Sequence, residues 1–319
     1  MKHTWKITLI IIAMFLVTQL IGLAVIKTYT TGWQVSKKTI VDGVPQEVST
    51  TFSKDIPYGL EPPEVQPKVS LISIILAIIV ATVVLLLLSR IKANMFLRLW
   101  FAFVVLITVA ISISTLLHQY IALAIAAVLT YFKVWRRDVV VHNLTELIIY
   151  PGLASIFVPI LSIGVTILLL ILLSFYDFYA VYKSKHMIKL AKFQMEELKV
   201  FTGFFIPYVS GKDREKLKKL RMQQKLMKGK VKEGKEGKFK VNVAILGGGD
   251  VAFPLIFAGV ILKTLGTPAA LIISVFSTLG LAYLLVTAQK GKFYPAMPFL
   301  TVATLIGYAI VAVLYGTGL

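Results

Sequence analysis

The sequence predicts an all-α polytopic membrane protein of about nine transmembrane helices. Three observations carry that prediction. The chain is 57% hydrophobic with a mean hydropathy of +0.83, where soluble domains hold about 45–50% apolar residues. Its apolar residues fall into nine blocks, most of them close to the roughly 20 residues a helix needs to cross a hydrocarbon core of about 30 Å. The basic residues between the blocks alternate, crowding onto one side of the predicted membrane.

In chain order, the first block, 7–26, follows Lys2 and Lys6 and resembles a signal peptide. It exceeds the usual core of about 7–15 residues and lacks a small-x-small cleavage site, so it reads as a retained first helix. The loop 27–69 contains Ile40-Val41-Asp42-Gly43-Val44, an Asp-Gly turn between apolar pairs that predicts a hairpin. Pro57, Pro62, Pro63 and Pro67 then favour an extended lead into the next helix. Blocks follow at 70–89, 96–115, 118–133, 139–158 and 160–182; the fifth is the least regular, holding His142, Asn143, Glu146, Pro151 and Gly152. In the loop 183–240, Met187, Ala191, Met195 and Leu198 recur at helical spacing, predicting a short interfacial helix. Residues 211–240 read as a charged tether, and the last blocks are 241–262, 268–288 and 295–316; just before the glycines, Phe239, Val241, Val243 and Ile245 alternate with more polar or small residues, so this stretch reads either as a strand able to pair with an extended segment or as the frayed start of the seventh helix. The chain thus divides into 1–182, with six helices and the outer loop 27–69, the basic loop 183–240, and 241–319, with three helices.

Orientation follows from the short connections. Lys2 and Lys6, Arg90, Lys92 and Arg98, Lys133, Arg136 and Arg137, the loop 183–240, and Lys290 and Lys292 all fall on one side, which is predicted to be cytoplasmic. The N-terminus then lies inside and Leu319 outside, in a multi-pass protein that suits a plasma membrane.

Of the net charge of +19, the loop 183–240 supplies 12, from 18 Lys or Arg against 6 Asp or Glu. Such a loop between helices acts as a retention signal and attracts anionic headgroups, which is preferred here over a nucleic-acid interface; a specific RNA or protein partner is the lesser alternative. The chain has no cysteine, which excludes disulfides, thiolate catalysis and Cys-based metal sites.

Two aspartates carry the chemistry. An ionised Asp at mid-membrane depth costs about 2.5–3.5 kcal/mol on insertion scales, so it needs a compensating role. Asp177 lies in LLLILLSFYDFYAVY near the cytoplasmic end of the sixth block, and Asp250 lies in VNVAILGGGDVAFPLIF of the seventh. Helical rise puts them about 8 Å and about 14 Å deep from the same side, within reach of each other if the helices adjoin. Two carboxylates forced together share one proton, so one is poised as base and the other as acid. Gly247, Gly248 and Gly249 remove side chains before Asp250 and allow close backbone approach, beyond the tight helix packing that glycines commonly serve in membranes. Tyr176 is an interfacial anchor or a site residue.

These residues resemble the presenilin and signal peptide peptidase family of intramembrane aspartyl proteases, most closely its archaeal presenilin-like members. Tyr176-Asp177 is similar to that family's Tyr-Asp motif, Gly247-Gly248-Gly249-Asp250 matches Gly-x-Gly-Asp, and Pro295-Ala296-Met297 stands where the family has Pro-Ala-Leu. The resemblance spans most of the chain, with Met297 in place of Leu the one departure among the motifs. It implies a presenilin-like fold, an aspartic endopeptidase acting on transmembrane protein substrates, an Asp177/Asp250 catalytic pair, and Pro295 to Met297 bordering the site. No cofactor or metal is implied. The residues alone say only that Pro295 and Pro298 start a helix.

Remaining polar residues rank lower. His142 and Glu146, four apart, permit a metal pair, but a local hydrogen bond is the preferred reading. His118 sits at a helix junction, and Asn143-Leu144-Thr145 matches a glycosylation pattern at an unsuitable depth. The competing function is an ion-coupled transporter using intramembrane acids, disfavoured because the blocks do not divide into two matching halves. A prepilin-type peptidase shares Gly-x-Gly-Asp without the other two motifs.

Overall fold

The computed structural model describes residues 5–30, 33–41, 44–52, 56–59, 94–136, 138–184, 201–208, 242–289 and 294–316, with Ser73, Leu76, Val80 and Val84 between them. Its helices are α1 (Trp5–Thr30), α2 (Asn94–Ile113), α3 (Gln119–Tyr131), α4 (Val139–Phe157), α5 (Ile163–Tyr179), α6 (Gly248–Leu265), α7 (Thr267–Thr287) and α8 (Met297–Tyr315). All of these but α3 are among the seven described helices long and apolar enough to cross a membrane. The short α3 is prolonged by a π-helical turn, Phe132–Arg136. The second predicted helix, 70–89, lies largely outside the described residues, as do the proposed interfacial helix at 187–198 and the tether 211–240.

Most helix boundaries follow local chemistry. Asp138 caps α4, its carboxylate accepting from Val140 N–H (2.8 Å) and Val141 N–H (3.0 Å). Ser162 accepts from Val165 N–H at 3.4 Å to cap α5. The loop 27–69 forms the expected hairpin, β1 (Trp33–Val41) antiparallel to β2 (Val44–Phe52), with Val41 paired to Val44.

At the start of the seventh apolar block the strand reading holds over the frayed helix start. Instead of a helix from residue 241, the chain forms strand β4 (Asn242–Gly247), antiparallel to β3 (Gly203–Tyr208), and α6 begins at Gly248. A run of Gly247-Gly248-Gly249 weakens helix there, while Val243, Ile245 and their small or polar neighbours alternate as a strand does. Asp250 therefore sits in the first turn of α6 rather than nine residues into a helix.

Helix α6 is the axis of the bundle, packed against α1, α4, α5, α7 and α8. Val251, Leu255, Phe257, Ala258, Val260 and Ile261 are fully buried along it. Because lipid is as apolar as these side chains, helix association rests on close packing and interhelical hydrogen bonds. A Cβ on Gly259 would lie 2.6 Å from Val158 and 2.8 Å from Ile26, and one on Gly22 of α1 would overlap Leu255. Gln19 of α1 donates to the Val251 carbonyl (3.2 Å), and Ser112 of α2 to the Ile148 carbonyl (2.6 Å). The exposed faces carry Trp100, Phe103, Ile121, Leu279 and Val313, as a lipid-facing surface requires.

Candidate active site

Asp177 closes α5 two residues before the helix ends and is 5% exposed. Its Oδ2 accepts from the Met297 N–H at 3.1 Å, with the Ala296 amide beside it. The physical reason lies in α8. Its N-cap is Ala296, which offers no side-chain oxygen, and Pro298 in its first turn has no N–H. The first-turn donors of α8 are thus left for an acceptor from elsewhere, and Asp177 supplies it from a neighbouring helix, where the positive end of the α8 dipole favours a carboxylate. Ser174 and Thr301 hydroxyls, joined at 2.7 Å, tie α5 to α8 just below this contact. Pro295, Ala296 and Met297 are all buried.

Asp250 occupies the third position of α6, and Gly247 is the N-cap. Its carboxylate turns back toward the Gly247 N–H, half of a capping box with no side chain to reciprocate. A Cβ on Gly247 would stand 3.0 Å from Asp250 Oδ2, so the absence of a side chain is what admits the carboxylate. Pro254 removes the N–H that would bond the Asp250 carbonyl, loosening the same turn. Asp250 and Asp177 lie close enough to interact electrostatically. Both acids are therefore held at helix N-termini, one across helices and one within its own.

Among the residues singled out from sequence, Asp177 meets Ala296 and Met297, and Asp250 meets Gly247. Gly248 packs under Tyr150, whose hydroxyl would be 2.9 Å from a Cβ there, while Gly249 is exposed. Tyr176 is 54% exposed on α5, beside exposed Phe175, Phe178 and Tyr179.

The two-stranded sheet leads directly into Gly247. Asn143 of α4 donates through Nδ2 to the Phe205 carbonyl (2.8 Å) and accepts Phe205 N–H at Oδ1 (2.9 Å). His142 Nε2 lies 2.8 Å from the Gly203 carbonyl. The Phe205 peptide groups thus point away from β4, which makes Phe205 and its partner Ile245 a non-hydrogen-bonded pair. Alternation puts Pro207 opposite Val243 in the same class, where a proline removes no ladder bond. It follows that N–H and C=O of Val243 and Ile245 face the outer edge of β4, with which no strand pairs among the described residues. Ala244 and Leu246 are buried, and Ile245 is exposed.

Sequence reading had no signal for some of this. Gly203 adopts φ +123°, and a Cβ there would overlap the Leu246 carbonyl. Lys133, buried in the π turn, forms an ion pair with Glu146, which also accepts from Tyr150. The local hydrogen bond expected between His142 and Glu146 is not formed: the two stand 3.8 Å apart, and His142 is held by Lys133 Nζ and the Gly203 carbonyl at the edge of this larger cluster. The signal was present in part, since His142, Glu146 and Tyr150 recur every four residues.

A family model described as "Signal-peptide peptidase, presenilin aspartyl protease" matches residues 49–317. Two solved structures, both of a presenilin family intramembrane aspartate protease, in C222 and P2 space groups, share the fold. The first aligns with TM-score 0.56 at 20% identity, covering 96% of this chain and 97% of that one. The second gives 0.55 at 20% identity, covering 95% and 96%. No curated protein sequence matches. With the family model spanning most of the chain, including both aspartate motifs and the Pro295 segment, the protein belongs to the signal-peptide peptidase and presenilin family of aspartyl proteases.

Proposed function

We propose that Asp177 and Asp250 form one catalytic dyad that hydrolyses peptide bonds of transmembrane proteins within the bilayer. The observation that carries this reading is the approach of two carboxylates from separate helices, each set against a helix N-terminus. Two such acids hold one proton between them. The ionised member takes a proton from water as its oxygen attacks the carbonyl carbon, and the protonated member donates to the carbonyl oxygen. The tetrahedral intermediate collapses with a proton delivered to the leaving amine, giving a new carboxyl terminus and a new amino terminus. In this reading Gly247, Gly248, Gly249, Pro295, Ala296 and Met297 shape the site, and Tyr176 borders it from the lipid side.

A transmembrane helix hides its scissile bonds, because its amides are bonded internally. Substrate must unwind, and the outer edge of β4 offers it a strand to pair with. The N–H and C=O groups of Val243 and Ile245 face that edge. Asn143 and His142 occupy the opposite edge of the sheet. The basic residues assign the N-terminus and the loop 183–240 to the cytoplasm, in contact with anionic headgroups, and the loop 27–69 and Leu319 to the outside of the plasma membrane.

The test is peptide-product analysis by mass spectrometry on the purified chain reconstituted with a single-span substrate, across pH. The expected result is two complementary fragments and a rate that rises and falls with pH, as a one-proton dyad requires. Ion or solute flux with no fragment at any pH would overturn the reading in favour of transport.

A further inference from the structure

Four polar side chains, three of them buried and His142 partly so, lie outside the dyad on one face of α4 and the turn before it. Glu146 is fully buried and accepts from Lys133 Nζ and from the Tyr150 hydroxyl. Lys133 Nζ also lies 3.2 Å from His142 Nδ1, and His142 Nε2 lies 2.8 Å from the Gly203 carbonyl. The protons can be assigned from these partners. A carbonyl only accepts, so Nε2 carries the imidazole proton, and Nδ1 is left as the acceptor for Lys133. Tyr150 gives its single hydroxyl proton to Glu146, so the face of its oxygen turned to Gly248 carries lone pairs.

That oxygen stands against the first turn of α6, where the N-cap Gly247 supplies no capping side chain. The first amides of a helix lack intrahelical partners. The Asp250 carboxylate turns back to this N-terminus from within the helix, while the Tyr150 hydroxyl packs from α4 against Gly248, two residues before Asp250, where a Cβ would lie 2.9 Å from it, so it bears on the turn that carries Asp250. The Tyr150 phenol and Asp250 are also close enough to interact electrostatically.

We propose that Tyr150, oriented by the Lys133–Glu146 ion pair, is a positioning residue that fixes the Gly248 turn and holds the Asp250 carboxylate in register with Asp177. The inference rests on the dyad reading. An ion pair buried at membrane depth is costly unless it serves such a purpose.

Tyr150→Phe tests it with the full chain reconstituted in bilayers, since the ring and its edge contact with Phe204 (centroids 6.0 Å apart) are kept and only the oxygen is lost. The expected result is a kcat lowered about ten- to hundredfold, the size of effect a displaced catalytic group gives, with KM within about twofold. The paired substitution Lys133→Met with Glu146→Leu removes both buried charges together and so leaves neither stranded. It should lower kcat as Tyr150→Phe does, and adding Tyr150→Phe to it should lower kcat no further, because the residues act through one chain. Unchanged kcat in Tyr150→Phe, a loss expressed in KM alone, or losses that multiply in the triple variant would each overturn the positioning role. Asp177→Asn and Asp250→Asn measured alongside separate the two failures: if both are inactive while Tyr150→Phe is unimpaired, only the positioning role falls, and if either is active, the dyad falls with it.

Discussion

Proline substitution along β4 separates substrate pairing from hairpin integrity, because the register assigns each peptide group a direction. Val243 N–H faces the outer edge, and its partner Pro207 already shows that a proline fits in this pair type. Val243→Pro should leave the β3–β4 ladder intact and deprive an incoming strand of one donor. Leaving one acceptor of the substrate unpaired in a water-poor cleft costs about 1–3 kcal/mol, or roughly five- to 150-fold in kcat/KM. Ala244 lies opposite Ile206 in a hydrogen-bonded pair, so Ala244→Pro removes a ladder bond and should destabilise the hairpin leading into Gly247. The assay is steady-state cleavage of a single-span fluorogenic substrate in bilayers, with thermal unfolding in detergent recorded for both variants. Val243→Pro should keep its Tm within a degree or two and lose turnover, while Ala244→Pro loses both. Wild-type kcat/KM in a folded Val243→Pro variant would refute pairing of substrate on β4.

Three further outcomes follow from the same geometry. Gly247→Ala places a Cβ 3.0 Å from Asp250 Oδ2, so that carboxylate must give by a few tenths of an ångström; activity should fall about tenfold with a stability change under about 1 kcal/mol, read by kcat and Tm together. A side chain at Gly152 would overlap the Thr108 carbonyl where α4 crosses α2, so Gly152→Ala should cost about 1–3 kcal/mol, seen as a lowered Tm. Cysteines introduced near Lys225 of this cysteine-free chain should label only from the cytoplasmic side of intact cells; labelling from outside would invert the topology.

Much of the architecture was legible because the bilayer imposes a length and a polarity that sequence records directly. The helical blocks that fall on described residues and the hairpin of β1 and β2 are cases where local pattern and final structure agree. The start of the seventh block reads from sequence either as a strand or as a frayed helix start, because an apolar run fits both, and what decides for β4 is β3, about forty residues earlier in sequence. Within the candidate site, the acids and glycines announced themselves as polar or flexible residues inside apolar runs. Their partners did not. The use of Asp177 as a cap for α8 depends on a helix 120 residues away, and the pairing of Lys133 with Glu146 depends on how a π turn is wound. Asn143 reads locally as part of a modification motif, and only the tertiary structure reveals it as the cover of a strand edge.

The most direct test of the central claim compares cleavage by Asp177→Asn, Asp250→Asn and the double variant under one set of conditions. Asparagine is nearly isosteric, and at position 177 its side-chain oxygen can still accept the Met297 N–H, so the fold should survive each change. If one acid supplies the base and the other the proton, losing either stops the same step. Each single variant should then lack product, and the double variant should be no worse than either. A folded Asp177→Asn or Asp250→Asn protein that cleaves a transmembrane substrate at near wild-type rate would contradict the account.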